Sequence, residues 1–179
     1  MMGLRSTVLA LALAGWGVGA EPAWAIAGCD AFTAALRTNA SDMGVEFSRA
    51  IVVSKTRSDA NVLDVTTKVD VDATLSCRGD TFLRFEARIG EPARARTSTD
   101  FERFQAAALK AALGWDAAKS RGVMKGMSAD AREFLDASRQ RGDVYVAGKT
   151  EEHVAGGVSL GLMATDSDRT FVIVGPAGE

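Results

Sequence analysis

A single histidine, His153, serves the whole chain of 179 residues, and that scarcity excludes much. A Ser-His-Asp triad would have to use it, and no Gly-x-Ser-x-Gly elbow occurs. A zinc site would need a second histidine or a free cysteine pair. Glu151 and Glu152 precede His153, so a His–carboxylate pair for acid–base chemistry is the alternative. Three adjacent residues on a strand or turn point alternately, however, and cannot all converge on one ion. The segment reads as a solvated turn. No catalytic residue, metal ligand or cofactor is expected.

Cysteine is almost as scarce, with only Cys29 and Cys77. Two readings compete: a disulfide formed in an oxidising compartment, and a lipobox, since Ile26-Ala27-Gly28-Cys29 resembles the bacterial lipoprotein pattern. The disulfide is the stronger reading. The polar interruption before Ala25 is wrong for a lipobox, a helix begins at once without a tether, and lipidation would strand Cys77. The bridge closes a loop of about 48 residues, for which the chain-entropy model expects roughly 3–4 kcal/mol.

Long apolar runs are missing except at the start. Arg5 supplies a positive region, Val8 to Ala20 an apolar run, and Ala23-Trp24-Ala25 a small-x-small cleavage site, so residues 1–25 read as a cleaved export signal. The run is too short for a bilayer, which takes about 20 residues. What remains, 26–179, is the length of one domain, exposed to the periplasm or to the exterior. Charge of one sign is missing too. Without Arg5 and Glu21 the chain holds 20 basic and 22 acidic residues, a balance that argues against nucleic acid as partner.

What is present is period-2 patterning. From Leu63 to Cys77 the odd positions are apolar or small and the even ones polar, which predicts one long half-buried strand. Arg78-Gly79-Asp80 then turns the chain into Leu83, Phe85, Ala87 and Ile89, alternating with charges. Buried positions must face buried positions, so a three-residue turn sets Cys77 opposite Thr81, Leu75 opposite Leu83 and Asp72 opposite Glu86. Gly79 supplies the positive φ. Val69, Val71 and Phe85 are the expected core; Lys68, Asp70 and Arg84 are expected in water.

Around this hairpin the chain predicts a short helix at Asp30 to Arg37 with Cys29, Phe32 and Leu36 on one face. A polar loop follows at Asn39 to Gly44, then a strand through Val45, Phe47, Ile51 and Val53. Thr99 to Leu113 reads as a helix with a Thr99–Glu102 capping box and Gly114 as its stop. Ser128 to Arg139 reads as a second, ended by Gly142 with Arg139 and Arg141 at the negative end of its dipole. Strands are expected at Val144 to Gly148, Val154 to Ala164 and Thr170 to Val174, the glycines 156, 157 and 161 marking a bulge or close approach. The order α-βββ-αα-βββ indicates an α+β fold: a mostly antiparallel sheet of about six strands with helices on one face.

Short motifs add little. Arg78-Gly79-Asp80 matches an integrin-binding tripeptide but is also plain turn chemistry. Asp70-x-Asp72 and Asp166-x-Asp168 lack the glycine and distal glutamate of a calcium loop. Gly156-Gly157-x-x-x-Gly161 falls in a predicted strand, the wrong place for a phosphate loop.

One segment stands out for binding, the long connection from Trp115 to Met127. It offers Trp115, Met124 and Met127 as adaptable apolar groups and Lys119, Arg121 and Lys125 as cations, with Gly122 and Gly126 for freedom. These six residues are the expected contact surface for a protein partner or an anionic ligand. The implied function is an extracytoplasmic bacterial binding or interaction domain without catalysis, in support of the envelope or of secretion. The alternatives are a small hydrolase or isomerase using His153 with a nearby carboxylate, and a lipid-anchored envelope protein held at Cys29.

Overall fold

The structure is a computed structural model that describes residues 26, 28–46, 52–56, 61–68, 70–90, 93, 95–143, 147–154 and 156–176. The expected leader lies outside these residues, as do Phe47 and Ile51 of the expected first strand and Val69 of the expected core.

Helix α1 (Cys29–Asp42) comes first, then strands β1 (Val52–Thr56), β2 (Asn61–Thr66), β3 (Asp72–Arg78) and β4 (Thr81–Gly90). Helices α2 (Ala95–Leu113) and α3 (Ala117–Arg141) follow, then β5 (Ala147–Val154), β6 (Val158–Thr165) and β7 (Asp168–Val174). The strands form one antiparallel sheet in the order β1-β2-β3-β4-β7-β6-β5, with the helices on one face. The α+β class therefore holds.

Among the described residues the count is seven strands, because the long strand expected from Leu63 to Cys77 is itself a hairpin. β2 and β3 pair with Val65 opposite Ala73 and Leu63 opposite Leu75. Folding about position 69 brings odd residues against odd, so alternation runs through the reversal unbroken and cannot reveal it. Thr67 donates its hydroxyl to the Val71 carbonyl (3.0 Å) across the turn.

The β3–β4 register also differs from the expected one. The turn holds two residues, Gly79 (φ +58) and Asp80, so Arg78 faces Thr81 and Cys77 faces Phe82. Continued unchanged, that pairing would set odd residues against even and invert one strand. An extra residue, Leu83, bulges out of register and restores parity, so Leu75 faces Phe85 and Asp72 faces Arg88. Phe82, opposite Cys77 and next to the bulge, is buried.

Residues opposite one another share a face. Leu75, Phe85, Ile173 and Leu160 make one buried row across the sheet, and Ala73, Ala87, Phe171 and Leu162 the next. The helices seal these rows. Phe32 of α1 lies 4.9 Å from Phe82 and 5.4 Å from Phe85, and Phe104 of α2 lies 5.8 Å from Phe85. α3 runs along β5 and β6. At Gly148 a Cβ would stand 1.8 Å from the Ala131 carbonyl oxygen, so only glycine lets helix and strand meet there.

α1 is stitched to the hairpin at its first turn. Cys29 and Cys77 form the expected disulfide across 48 residues. The Asp80 carbonyl accepts the Cys29 N–H (2.7 Å), and its carboxylate accepts the Asp30 N–H (2.9 Å), capping the helix from another element. The Arg78-Gly79-Asp80 turn therefore spends its aspartate on the fold.

The expected helices are longer than their sequence signals, although α2 ends at Leu113 before Gly114 as expected. α1 continues through Asn39, whose amide donates to the Ala107 carbonyl (3.5 Å), and stops at Gly44 (φ +78). There Gly44 N–H bonds to Ser41 and Val45 N–H to Ala40, a Schellman ending that buries Val45 rather than starting a strand. Thr99 sits inside α2 and donates to Ala95 (3.0 Å), so the expected capping box is absent. Gly156 and Gly157 (φ +82 and +74) are the β5–β6 turn rather than strand interior, because positive φ at successive residues suits a hairpin loop.

Val71 and Phe85 are fully buried, and Lys68, Asp70 and Arg84 are exposed. Phe85→Ala should cost ~3–5 kcal/mol in denaturant unfolding, against less than ~0.5 for Asp70→Ala; equal midpoints would mean that the strand faces are assigned backwards. Acid should weaken the fold through two surface carboxyls. Lys68 holds Glu46 below its ordinary value of 4.5, by hydrogen bond first and charge second, and Arg141, then Ser138, hold Asp143 below 3.8. A carboxyl depressed in the folded state stabilises above its unfolded value and loses that contribution as pH falls through the folded one. Melting temperature should therefore drop as pH passes below the ordinary carboxylate range, with a shallower slope in a Glu46→Gln, Asp143→Asn variant.

Candidate functional site

The segment from Trp115 to Met127 is not a loop. Asp116 accepts the Lys119 N–H (2.8 Å) as N-cap, and α3 runs unbroken from Ala117 to Arg141. Gly122 and Gly126 face open space on its outer side; each costs about 1 kcal/mol of helix propensity, which burial of the other face offsets. Trp115 is half-buried against the core with Lys119 Nζ 4.7 Å above its ring. Met124 and Met127 are core residues, at 7% and 3% exposure. As a mobile recognition loop the segment is corrected; as part of a helix it lines a cleft.

That cleft, of about 410 Å³, lies between α2 and α3, floored by the sheet. Arg121, Met124 and Lys125 line it, with Ser120, Ser128, Ala129 and Arg132 from the same helix. α2 provides Phe101, Glu102, Gln105 and Ala106; β6 provides Leu162 and β7 Arg169. Trp115, Lys119 and Met127 lie outside it. Three of the six expected residues therefore meet here.

Helical spacing explains the lining. Residues 121, 125, 128 and 132 recur at three and four along α3 and so share one side. On α2, Phe101 and Gln105 stand one turn apart. The interior is apolar and buried, formed by Phe101, Met124, Leu162 and Ala106. Two polar residues are buried in its wall, Gln105 at 4% exposure and Ser120 at 0%. Among the described residues the Ser120 hydroxyl has no hydrogen-bond partner, a position that costs about 1–3 kcal/mol when nothing answers it.

The charge is one-sided. Arg121, Lys125, Arg132 and Arg169 face a single carboxylate, Glu102. Arg169 is half-buried and held in place: its guanidinium lies 5.8 Å from the Phe101 ring centroid and donates to Ser98 Oγ (3.0 Å). Arg132 and Arg169 also line an adjoining hollow of about 380 Å³. Its third cation, Arg139, is bonded to Asp166 (2.5 Å) and Asp136 (2.7 Å), and these contacts, Asp166 first, hold its guanidinium protonated beyond its ordinary range.

Sequence reasoning missed Arg132, Arg169, Gln105 and Ser120. The signal for Arg132 was the side it shares with Arg121 and Lys125, which shows only once the helix is read as continuous. Arg169 enters from a strand nearly forty residues later, and nothing local announces it.

His153 is exposed on β5 rather than in a turn, opposite Ser159, with Nδ1 2.8 Å from its hydroxyl. Glu151 pairs with Lys149 (3.5 Å). No group of three or more His, Cys, Asp or Glu that could hold a metal occurs among the described residues.

Met124→Ala and Met127→Ala should each lose ~2–5 kcal/mol as core truncations, whereas Lys125→Ala should stay within ~0.5. Chemical denaturation decides it, and methionine variants as stable as wild type would return these side chains to the surface.

Comparison with known protein families, curated proteins and solved structures finds no match to this chain. The function must therefore be argued from the site itself.

Proposed function

We propose that this protein is an exported binding domain, periplasmic or secreted, that holds a small anionic molecule with an apolar body in the α2–α3 cleft. The observation that carries the reading is the cleft's composition: a buried apolar interior under four cations and one carboxylate. Ligand sites combine mostly apolar walls with a few placed polar groups, and a single sign of charge attracts its opposite. Export is supported by the signal-like residues 1–25 and by the Cys29–Cys77 disulfide, which belongs to an oxidising compartment. The bridge also occupies the sulfur that a lipid anchor would need. No described helix is long and apolar enough to cross a membrane.

Catalysis has less support. His153 is solvent-exposed and its neighbour is a serine hydroxyl rather than a carboxylate, so among the described residues it shows no partner that would tune it as a base.

The test uses 8-anilinonaphthalene-1-sulfonate, an aromatic anion whose fluorescence rises in apolar surroundings. One molecule per chain should bind, more weakly at high salt because exposed charges are screened. The Arg121→Glu, Lys125→Glu double variant should bind at least tenfold more weakly with an unchanged melting temperature, since both side chains are exposed. Equal affinity in the variant would reduce the cleft to an accident of helix packing.

A further inference from the structure

Gln105 is the polar group on which the selectivity of the cleft turns. Its side chain lines the cleft at 4% exposure, and among the described residues its amide makes no hydrogen bond. The amide is not sealed as the Ser120 hydroxyl is, so what surface it keeps opens into the cleft. Ser120 has no surface to offer and plays no part in binding. A nearly buried amide without a partner is costly, and a ligand that answers it recovers that cost.

A primary amide presents an acceptor, Oε1, beside the donors on Nε2. One residue of extended backbone is its complement. The N–H and C=O of such a residue point the same way, as in the paired residues of an antiparallel ladder. In an N-acylated amino acid a carboxylate oxygen takes the place of that C=O. Gln105 can therefore accept the ligand N–H and donate to that oxygen at once, leaving the second carboxylate oxygen free.

Charge sets the direction of the second oxygen. Arg121 and Lys125 stand one turn apart on α3. Both line the cleft, both are exposed, and neither side chain has an ion pair or hydrogen bond among the described residues. Glu102, on the α2 wall, repels a carboxylate and turns it towards α3. Ala106, Met124 and Leu162, buried and apolar, make the floor. They receive an aliphatic side group or acyl chain, and about 410 Å³ is the size of a small-molecule site.

Resting on the reading of the cleft as an anion site, we propose that its ligand is an N-acylated apolar amino acid, held by its carboxylate and by the N–H beside it. The carboxylate bridges Gln105 to Arg121 and Lys125, the N–H donates to Gln105 Oε1, and the apolar groups lie on Ala106, Met124 and Leu162. A fatty-acyl amino acid and the C-terminus of a short apolar peptide both carry this group.

The experiment is calorimetric titration of the disulfide-bonded protein with N-decanoyl-leucine and two relatives, all below their micelle concentrations. One relative is the ester in which oxygen replaces the N–H, and the other is the carboxamide that lacks the negative charge. Decanoyl-leucine should bind one per chain, the ester at least fivefold more weakly and the carboxamide at least tenfold more weakly. Gln105→Met keeps the length of the side chain and removes its amide. That variant should bind the acid and its ester within twofold of each other and should melt no lower than the unaltered protein. An Arg121→Gln, Lys125→Gln double variant should bind the acid and the carboxamide alike. Acetyl-leucyl-leucine decides the source: tighter binding than decanoyl-leucine identifies a peptide C-terminus, weaker binding a fatty-acyl amino acid, and either order supports the proposal.

Equal affinity for acid and ester in the unaltered protein overturns the role of Gln105 and with it the acylated amino acid. A lower melting temperature in Gln105→Met overturns it too, since the amide would then be answered within the protein. Equal affinity for acid and carboxamide overturns the carboxylate. Binding of the naphthalene sulfonate without decanoyl-leucine defeats this proposal and leaves the cleft a site for another anion. Binding of neither defeats both.

Discussion

A sheet with one apolar face must be covered, and everything else in this molecule answers that requirement. Seven strands at about 4.8 Å spacing span roughly 30 Å, and three helices each about 10 Å across can just cover them. The cover is not even. α2 packs more extensively against α1 than against α3, helped by small residues such as Ala107, Ala108 and Ala112 on its buried side and by the Asn39 amide on the Ala107 carbonyl. α3 is drawn the other way, its backbone seated on Gly148 of β5. The cleft lies where these two demands pull the helices apart, which is why its floor is core and its rim is surface.

The stitching of α1 serves the same end from the opposite side. Disulfide, backbone bond and Asp80 carboxylate all act on the first turn of the helix. They fix where Phe32 enters the aromatic cluster with Phe82, Phe85 and Phe104. Only glycine at position 28 permits the approach, since a Cβ there would stand 2.0 Å from the Asp80 carboxylate. A lipobox-like tetrapeptide is thus also a sequence with a structural reason for its glycine and its cysteine.

Faces were legible in the sequence; reversals and extents were less so. The alternation of Leu63 to Cys77 correctly sorted inside from outside, yet could not show a hairpin folded about an odd residue, with no glycine or proline in residues 67–71 to announce it. The pairing of Leu75 with Leu83 was wrong because a bulge leaves no compositional mark on its own strand. Gly122 and Gly126 made a helix look like a loop, since their cost is local and the burial that offsets it involves residues on other elements. Gly79, Gly114 and Gly142, each at positive φ, were readable because there the backbone itself demands glycine. For the cleft, the cations and methionines singled out in the sequence lie on α3, three of them in its lining, but a cleft assembled from four elements is a property of the packing.

Strand β5 forms one border of the sheet. Lys149, Glu151 and His153 lie on one face of it and Glu152 on the other, all exposed. A free border invites another chain to add a strand, and charge on both faces makes that addition expensive in desolvation and repulsion. The strand that carries the only histidine therefore acts as a selvedge: it finishes the fabric on that side so that one molecule does not weave into the next.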